Sequence, residues 1–120
     1  MLFATSIGSR DGSAHDRAGL WWWLIRDLSK LAVRVIEIPP STRAKFITGK
    51  GNASKDTVLV AAIKRLPIDV ANNNEADAAV LAAIGHDLLG QPICDLPALN
   101  RASIDKHRPT VLPPAQNKDA

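Results

Sequence analysis

The chain predicts a small α/β domain, mostly helical, whose sheet its own residues leave incomplete. Three observations predict this class. Residues 33–38 contain Val33, Val35, Ile36 and Ile38, a β-branched run that Pro39-Pro40 ends, so they form a strand. Apolar residues recur at helical spacing once before that strand and in several segments after it. Residues 1–7 supply the only other strand candidate, carried by Leu2, Phe3, Ala4 and Ile7. Strand followed by several helices belongs to a layered fold, yet one good strand cannot make a sheet. Either residues 1–7 pair with residues 33–38 as a two-stranded ribbon, or strands are missing. The second is the expectation, at the N-terminal end, where the chain enters abruptly on an apolar stretch.

Composition narrows the class. At 120 residues, with 46% hydrophobic and 22% charged, the chain is one globular domain large enough to bury a core. Its single cysteine, Cys94, excludes a disulfide framework and offers no zinc spacing, which points to a reducing, cytoplasmic setting. No apolar run approaches the roughly 20 residues of a membrane span. Ser9, Arg10 and Asp11 interrupt the first apolar stretch too soon for a signal peptide. The net charge of +3 is unevenly placed. Arg43, Lys45, Lys50, Lys55, Lys64 and Arg65 face Asp56 alone between residues 41 and 66, so that window is strongly basic and the remainder net acidic. A concentrated basic patch points to a polyanion.

Ser13 is a candidate N-cap for a helix to about Leu31, with Asp16 near its positive end. Leu20, Leu24, Leu28 and Leu31 form its apolar stripe. Trp21, Trp22 and Trp23 fan through about 200° and cannot all enter one core, so one or two meet a second surface or stay partly exposed. After the strand, Ser41 or Thr42 caps a short helix through Ile47. Residues 48–52 form a turn, and Ser54 opens a helix ending near Leu66-Pro67, with Val58, Ala61, Ala62 and Leu66 inward and Lys64 and Arg65 toward water. The next helix covers residues 74–89 and Gly90 ends it. The tail begins at Gln91, and residues 109–120 read as disordered.

Two features carry chemistry. Gly49-Lys50-Gly51-Asn52-Ala53-Ser54-Lys55 joins two glycines, two lysines and a helix start, which together suit an anion. The spacing is not that of a nucleotide P-loop, and a solvated turn is the alternative. The second is Asp77, which shares a helical face with Val80, Leu81, Ile84 and Leu88. A carboxylate aimed at a core needs a metal ion or a cation beside it; a first-turn acid is the alternative. His86 is two and a half turns beyond Asp77 and is not its partner. His15 and His107 show no partner pattern, and Cys94 reads as a small apolar residue of a docked tail.

Together these pieces resemble the RuvC-type Holliday junction resolvases, in particular the RuvC-like branch found in phages. Val35-Ile36-Glu37-Ile38-Pro39-Pro40-Ser41-Thr42, Lys45-Phe46, Thr48 with the lysine-glycine turn through Lys55, and Glu75-Ala76-Asp77-Ala78 carry the likeness, with Gly8-Ser9-Arg10 and Leu89-Gly90-Gln91-Pro92-Ile93 beside them. The resemblance covers roughly residues 5–108. It implies a ribonuclease H-like fold, here its C-terminal portion, over residues 1–108. It also implies metal-dependent cleavage of branched DNA in a bacterial or phage-infected cell, with magnesium or manganese as cofactor. Asp77 would be catalytic and a metal ligand, and Lys55 would stand near the scissile phosphate. Lys45, Lys50, Gly51, Asn52, Lys55, Lys64 and Arg65 would contact DNA.

The family pattern asks for four acids, and the chain departs from it. The acid expected three residues before Asp77 is Asn74, about 60° from Asp77 on a helix. Asn74 can ligate through its amide oxygen without adding charge, and Glu75 could serve only from a frayed first turn. The strand-borne aspartate and glutamate would lie upstream of Gly8, where no acid precedes Asp11. The expectation is therefore a truncated resolvase domain, inactive by itself. A catalytically inactive DNA-binding remnant is the second reading. A non-enzymatic helical interaction protein is the third, using Trp21, Trp22 and Trp23 to contact a partner or a second copy.

Overall fold

A computed structural model describes residues 2–5 and 14–108. Strand β1 (Leu2–Thr5) leads to helix α1 (Ala14–Lys30) and strand β2 (Arg34–Glu37). Helices α2 (Pro40–Thr48), α3 (Lys55–Arg65), α4 (Asn73–Leu88) and α5 (Ala98–Ala102) follow, with a 3-10 turn at Asp105–His107. The described residues are thus mostly helical, as expected. β1 and β2 pair in parallel, Phe3 beside Val35 and Ala4 beside Ile36. Of the two arrangements open from the sequence, the ribbon between the first apolar stretch and the β-branched run is present. Its parallel sense follows from α1, a helical crossover long enough to return the chain in the same direction. Residues 109–120 and the Ser13 cap lie outside the described residues.

The core lies where α2, α3 and α4 meet β2. Ile36 and Ile38 enter it from the strand, Phe46 and Ile47 from α2, Val58 and Ala62 from α3, and Val80, Ile84 and Leu88 from α4. The alanines Ala76, Ala79 and Ala83 on the same face of α4 let the neighbouring elements approach closely. Ile104, beyond α5, closes the cluster.

Helix ends follow capping chemistry, in places differently from expectation. α2 starts at Pro40, not after a Ser41 or Thr42 cap, because proline's fixed φ and missing N–H suit the first helical position. α3 starts as expected, the Ser54 hydroxyl accepting from Thr57 N–H at 3.2 Å. At the end of α4, Gly90 has φ of 80° and the Gln91 N–H reaches His86 O at 2.8 Å, a Schellman closure. α1 ends the same way, Val33 N–H on Leu28 O at 3.0 Å, but the left-handed residue there is Ala32, φ 58°.

The leucine stripe of α1 departs most from expectation. Leu20 and Leu31 are largely exposed, Leu24 is exposed, and only Leu28 is half-buried. Trp22 is 67% and Trp23 61% exposed, while Trp21 is half-buried. α1 packs mainly on β2, so its 17 residues carry more apolar surface than one short strand can cover. Arg26 stacks its guanidinium over the Trp23 ring at 5.1 Å, which a water-facing indole permits.

A candidate phosphate-binding cleft

The lysine-glycine turn is built by the end of α2. Gly49 takes φ of 90°, and its N–H bonds to Lys45 O at 2.9 Å, closing the helix. Thr48 Oγ1 donates to Ala44 O at 2.7 Å and accepts from Lys50 N–H at 3.0 Å, which folds the chain back. A Cβ on Gly51 would lie 3.4 Å from Ser41 O, an ordinary contact, so the turn lies against the first turn of α2. A Cβ on Gly49 would stand 3.3 Å from Asn100 Oδ1, because α5 supports the turn from behind.

This packing leaves a cleft of about 170 Å³ between the start of α2, the turn, the start of α3 and α4. Arg43, Gly51, Lys55 and Asp77 line it, with Ser41 and Val58. The start of α2, the turn leading into α3 and the more distant α4 therefore meet in one concavity. Lys55 is exposed at the first position of α3, where the helix dipole also favours an anion. The Asp77 side chain is 40% exposed, and Arg43, at 14%, lies beside it with Nη2 3.4 Å from Oδ2. The geometry corrects the expectation for Asp77. The buried face of α4 runs through Ala76, Val80, Ala83, Ile84, Asp87 and Leu88, and Asp77 sits on its rim, facing the cleft with an arginine beside it.

Asn74 and Glu75 do not line the cleft. Glu75 is held in a capping box. The Asn72 Oδ1 accepts from Glu75 N–H at 2.9 Å, and the Glu75 carboxylate accepts from Ala71 N–H at 3.3 Å and from Asn72 Nδ2 at 3.0 Å. The first turn of α4 is therefore wound, and the frayed geometry by which Glu75 could join Asp77 is not adopted. Asn74 is exposed, and the buried Asn73 Oδ1 has no hydrogen-bond partner. Among the described residues no group of three His, Cys, Asp or Glu side chains converges as a metal site.

The remaining basic residues divide. Lys64 and Arg65 line a second groove of about 410 Å³ with Ile47, Thr48, Asp56, Thr57, Val60 and Ala61. Nine residues of helix set Lys64 roughly 14 Å from Lys55 along the axis. Lys45, Lys50 and Asn52 are exposed and line neither concavity. Arg43 was a basic residue of the window with no role assigned from sequence. Its position three residues into a helix that starts at Pro40 is the signal that turns it toward the cleft.

A second charged cluster was missed altogether. Asp87 is 1% exposed, and Arg101 grips it with Nε to Oδ2 at 2.8 Å and Nη2 to Oδ1 at 2.9 Å. Arg108 adds Nη2 to Oδ1 at 3.0 Å and also binds Asp105 Oδ1 at 2.8 Å. Burial pushes the Asp87 carboxyl up, but the hydrogen bonds and charges of Arg101 and Arg108 outweigh it and hold the group below its ordinary range. Burial raises the Cys94 thiol. His86 is exposed. His107 is depressed by burial and by Lys106, and its Nε2 is buried without a partner.

No protein-family model, no curated protein and no solved structure matches the chain. No helix among the described residues is long and apolar enough to cross a membrane.

Proposed function

We propose that this chain acts on the phosphodiester backbone of branched DNA, as a RuvC-type, metal-dependent endonuclease domain of ribonuclease H-like ancestry. The observation that carries the reading is the cleft in which Gly51, Lys55 and Asp77 meet. The lysine-glycine turn supplies Gly51 and Lys55 and α4 supplies Asp77, and the resemblance assigns Lys55 and Asp77 to phosphate and metal. In this reading Lys55 holds the scissile phosphate and offsets the charge that grows on it. Asp77 would be one ligand of a magnesium or manganese ion, which would supply Lewis-acid chemistry for phosphodiester cleavage. Lys45, Lys50, Lys64 and Arg65 track the flanking backbone. The exposed Trp22 and Trp23 face is proposed as the contact with a second copy.

Binding to a four-way junction, measured against salt, tests the DNA half of the reading; binding that ignores salt would remove it. Magnesium- or manganese-dependent nicking of the same junction, lost in Asp77→Asn and Lys55→Ala, tests the catalytic half. Absence of nicking with either metal leaves the second reading, DNA binding without cleavage. One observation favours that second reading: Arg43 already stands beside the Asp77 carboxylate where a metal ion would have to sit.

A further inference from the structure

Arg43 is a guanidinium out of balance with its surroundings. Its side chain is 14% exposed, yet among the described residues its one charged partner is Asp77 at 3.4 Å. That is longer than the about 2.7–2.9 Å of an aligned charge-assisted hydrogen bond. Among the described residues no hydrogen bond from its side chain to a protein acceptor is formed, although a guanidinium carries five N–H donors in a rigid fork. Lys55 lines the same cleft without an ion pair among the described residues, so two cations face one carboxylate there. A half-enclosed site with surplus positive charge, idle planar donors and a glycine-containing turn is complementary to a tetrahedral oxyanion.

We propose that Arg43 and Lys55 hold a backbone phosphate in this cleft without any divalent cation, Arg43 turning its fork from Asp77 to the phosphate oxygens. The inference rests on the reading that the cleft faces a nucleic-acid backbone, and it adds the residue and the metal independence. Asp77 then acts in the metal-free protein as a competitor for Arg43, setting how tightly phosphate is held. The two roles of Asp77 make opposite demands: removing its charge abolishes a metal ligand and frees the arginine.

The experiment is binding of a fluorescent four-way DNA junction to the full chain in EDTA, by anisotropy over a series of salt concentrations. Arg43→Ala is expected to weaken binding about 10- to 100-fold and to lower the salt slope by about 1. Arg43→Lys is expected to restore the slope without the full affinity, because the charge returns without the fork. Asp77→Asn is expected to tighten binding roughly fivefold. Circular dichroism confirms that each variant is folded, and if Arg43→Ala does not fold, Asp77→Asn alone decides. Unchanged or weaker binding in Asp77→Asn, or an unchanged affinity and slope in a folded Arg43→Ala, overturns the proposal. Wild-type binding that appears only on adding magnesium overturns it and leaves the broader reading standing. No binding to DNA with or without magnesium removes both. Equal competition by free inorganic phosphate at micromolar concentration would show a small-anion site and overturn the assignment to a nucleic-acid backbone.

Discussion

Arg101 grips the buried carboxylate of Asp87 through two hydrogen bonds, 2.8 and 2.9 Å long, across 14 residues of chain. With Arg108 on the same carboxylate, this contact helps fasten the segment after α4 onto the domain, beside the buried Ile104 and Asn100. Removing one partner of a buried pair strands the other, which costs about 3–5 kcal/mol. The arginines are partly exposed and rehydrate, so Asp87→Ala is expected to cost less, about 2–3 kcal/mol in urea unfolding. The sign with pH follows from the depressed carboxyl. Its contribution is complete above the unfolded-state value of about 4 and is lost as pH falls through the lower folded-state value. Wild type is therefore expected to lose stability under acid that Asp87→Asn, already without the charge, does not lose.

His107 adds a step at milder pH. Burial and Lys106 hold its imidazole neutral, so the unfolded chain takes up a proton that the folded chain refuses. Stability is complete above the unfolded-state value of about 6.5 and falls as pH drops toward the depressed folded value. Chemical unfolding at a series of pH values between 5 and 8 should show this slope in wild type (about that range being where imidazoles titrate). His107→Gln should flatten it.

Ala32 occupies a left-handed position, φ 58°, that glycine fills without a Cβ penalty. Ala32→Gly is therefore expected to stabilise by a net about 0.5–1 kcal/mol, the relief of strain exceeding the added freedom of the unfolded chain. A higher melting temperature checks it; a lower one would show that the closure of α1 is not strained.

Asn72 and Glu75 form a capping box, so their loss should appear as instability. Asn72→Ala is expected to cost about 1 kcal/mol, and Asn72→Asp or Ser to cost less. Glu75→Gln should leave junction binding in EDTA and any metal-dependent nicking unchanged, in contrast with Asp77→Asn. A metal-dependent defect in Glu75→Gln would return Glu75 to the site.

The exposed face of α1 is expected to bury itself against a second copy. Trp22→Ser with Trp23→Ser should shift sedimentation toward monomer, each indole withdrawing up to about 150–250 Å² of contact area. Concentration-independent monomer in the wild type would remove this expectation.

Much of the architecture was legible because the signals were local. β-branched density marked β2, Ser54 marked α3, and Gly90 marked the end of α4. The cleft was half legible: Lys55, Gly51 and Asp77 stood out as residue types, and the fold brings them together. What the sequence concealed was partnership. Helical phase put Asp77 on the buried face, but the face is rotated toward Ala83 and Asp87, since alanines there allow close contact with α2 and α3. The carboxylate that does enter the interior, Asp87, drew no attention because its cations lie 14 and 21 residues away, in a tail to which no element was assigned. Arg43 was passed over as one charge in a basic window, although the Pro40 start of α2 orients it.

The Asn100 side chain behind Gly49 joins these two stories. A side chain at residue 49 of the turn that shapes the cleft would be strained by a φ of 90° and crowded by Asn100, 51 positions later, whose Oδ1 would lie 3.3 Å from its Cβ. The shape of the cleft is therefore tied to the docking of α5, to which the Asp87–Arg101 pair and the buried Ile104 both contribute. Fraying at the C-terminal end and slackening of the turn should be one cooperative event. If the cleft holds phosphate as proposed, a protease that nicks the chain ahead of α5 is expected to weaken that binding without touching any residue that lines the cleft.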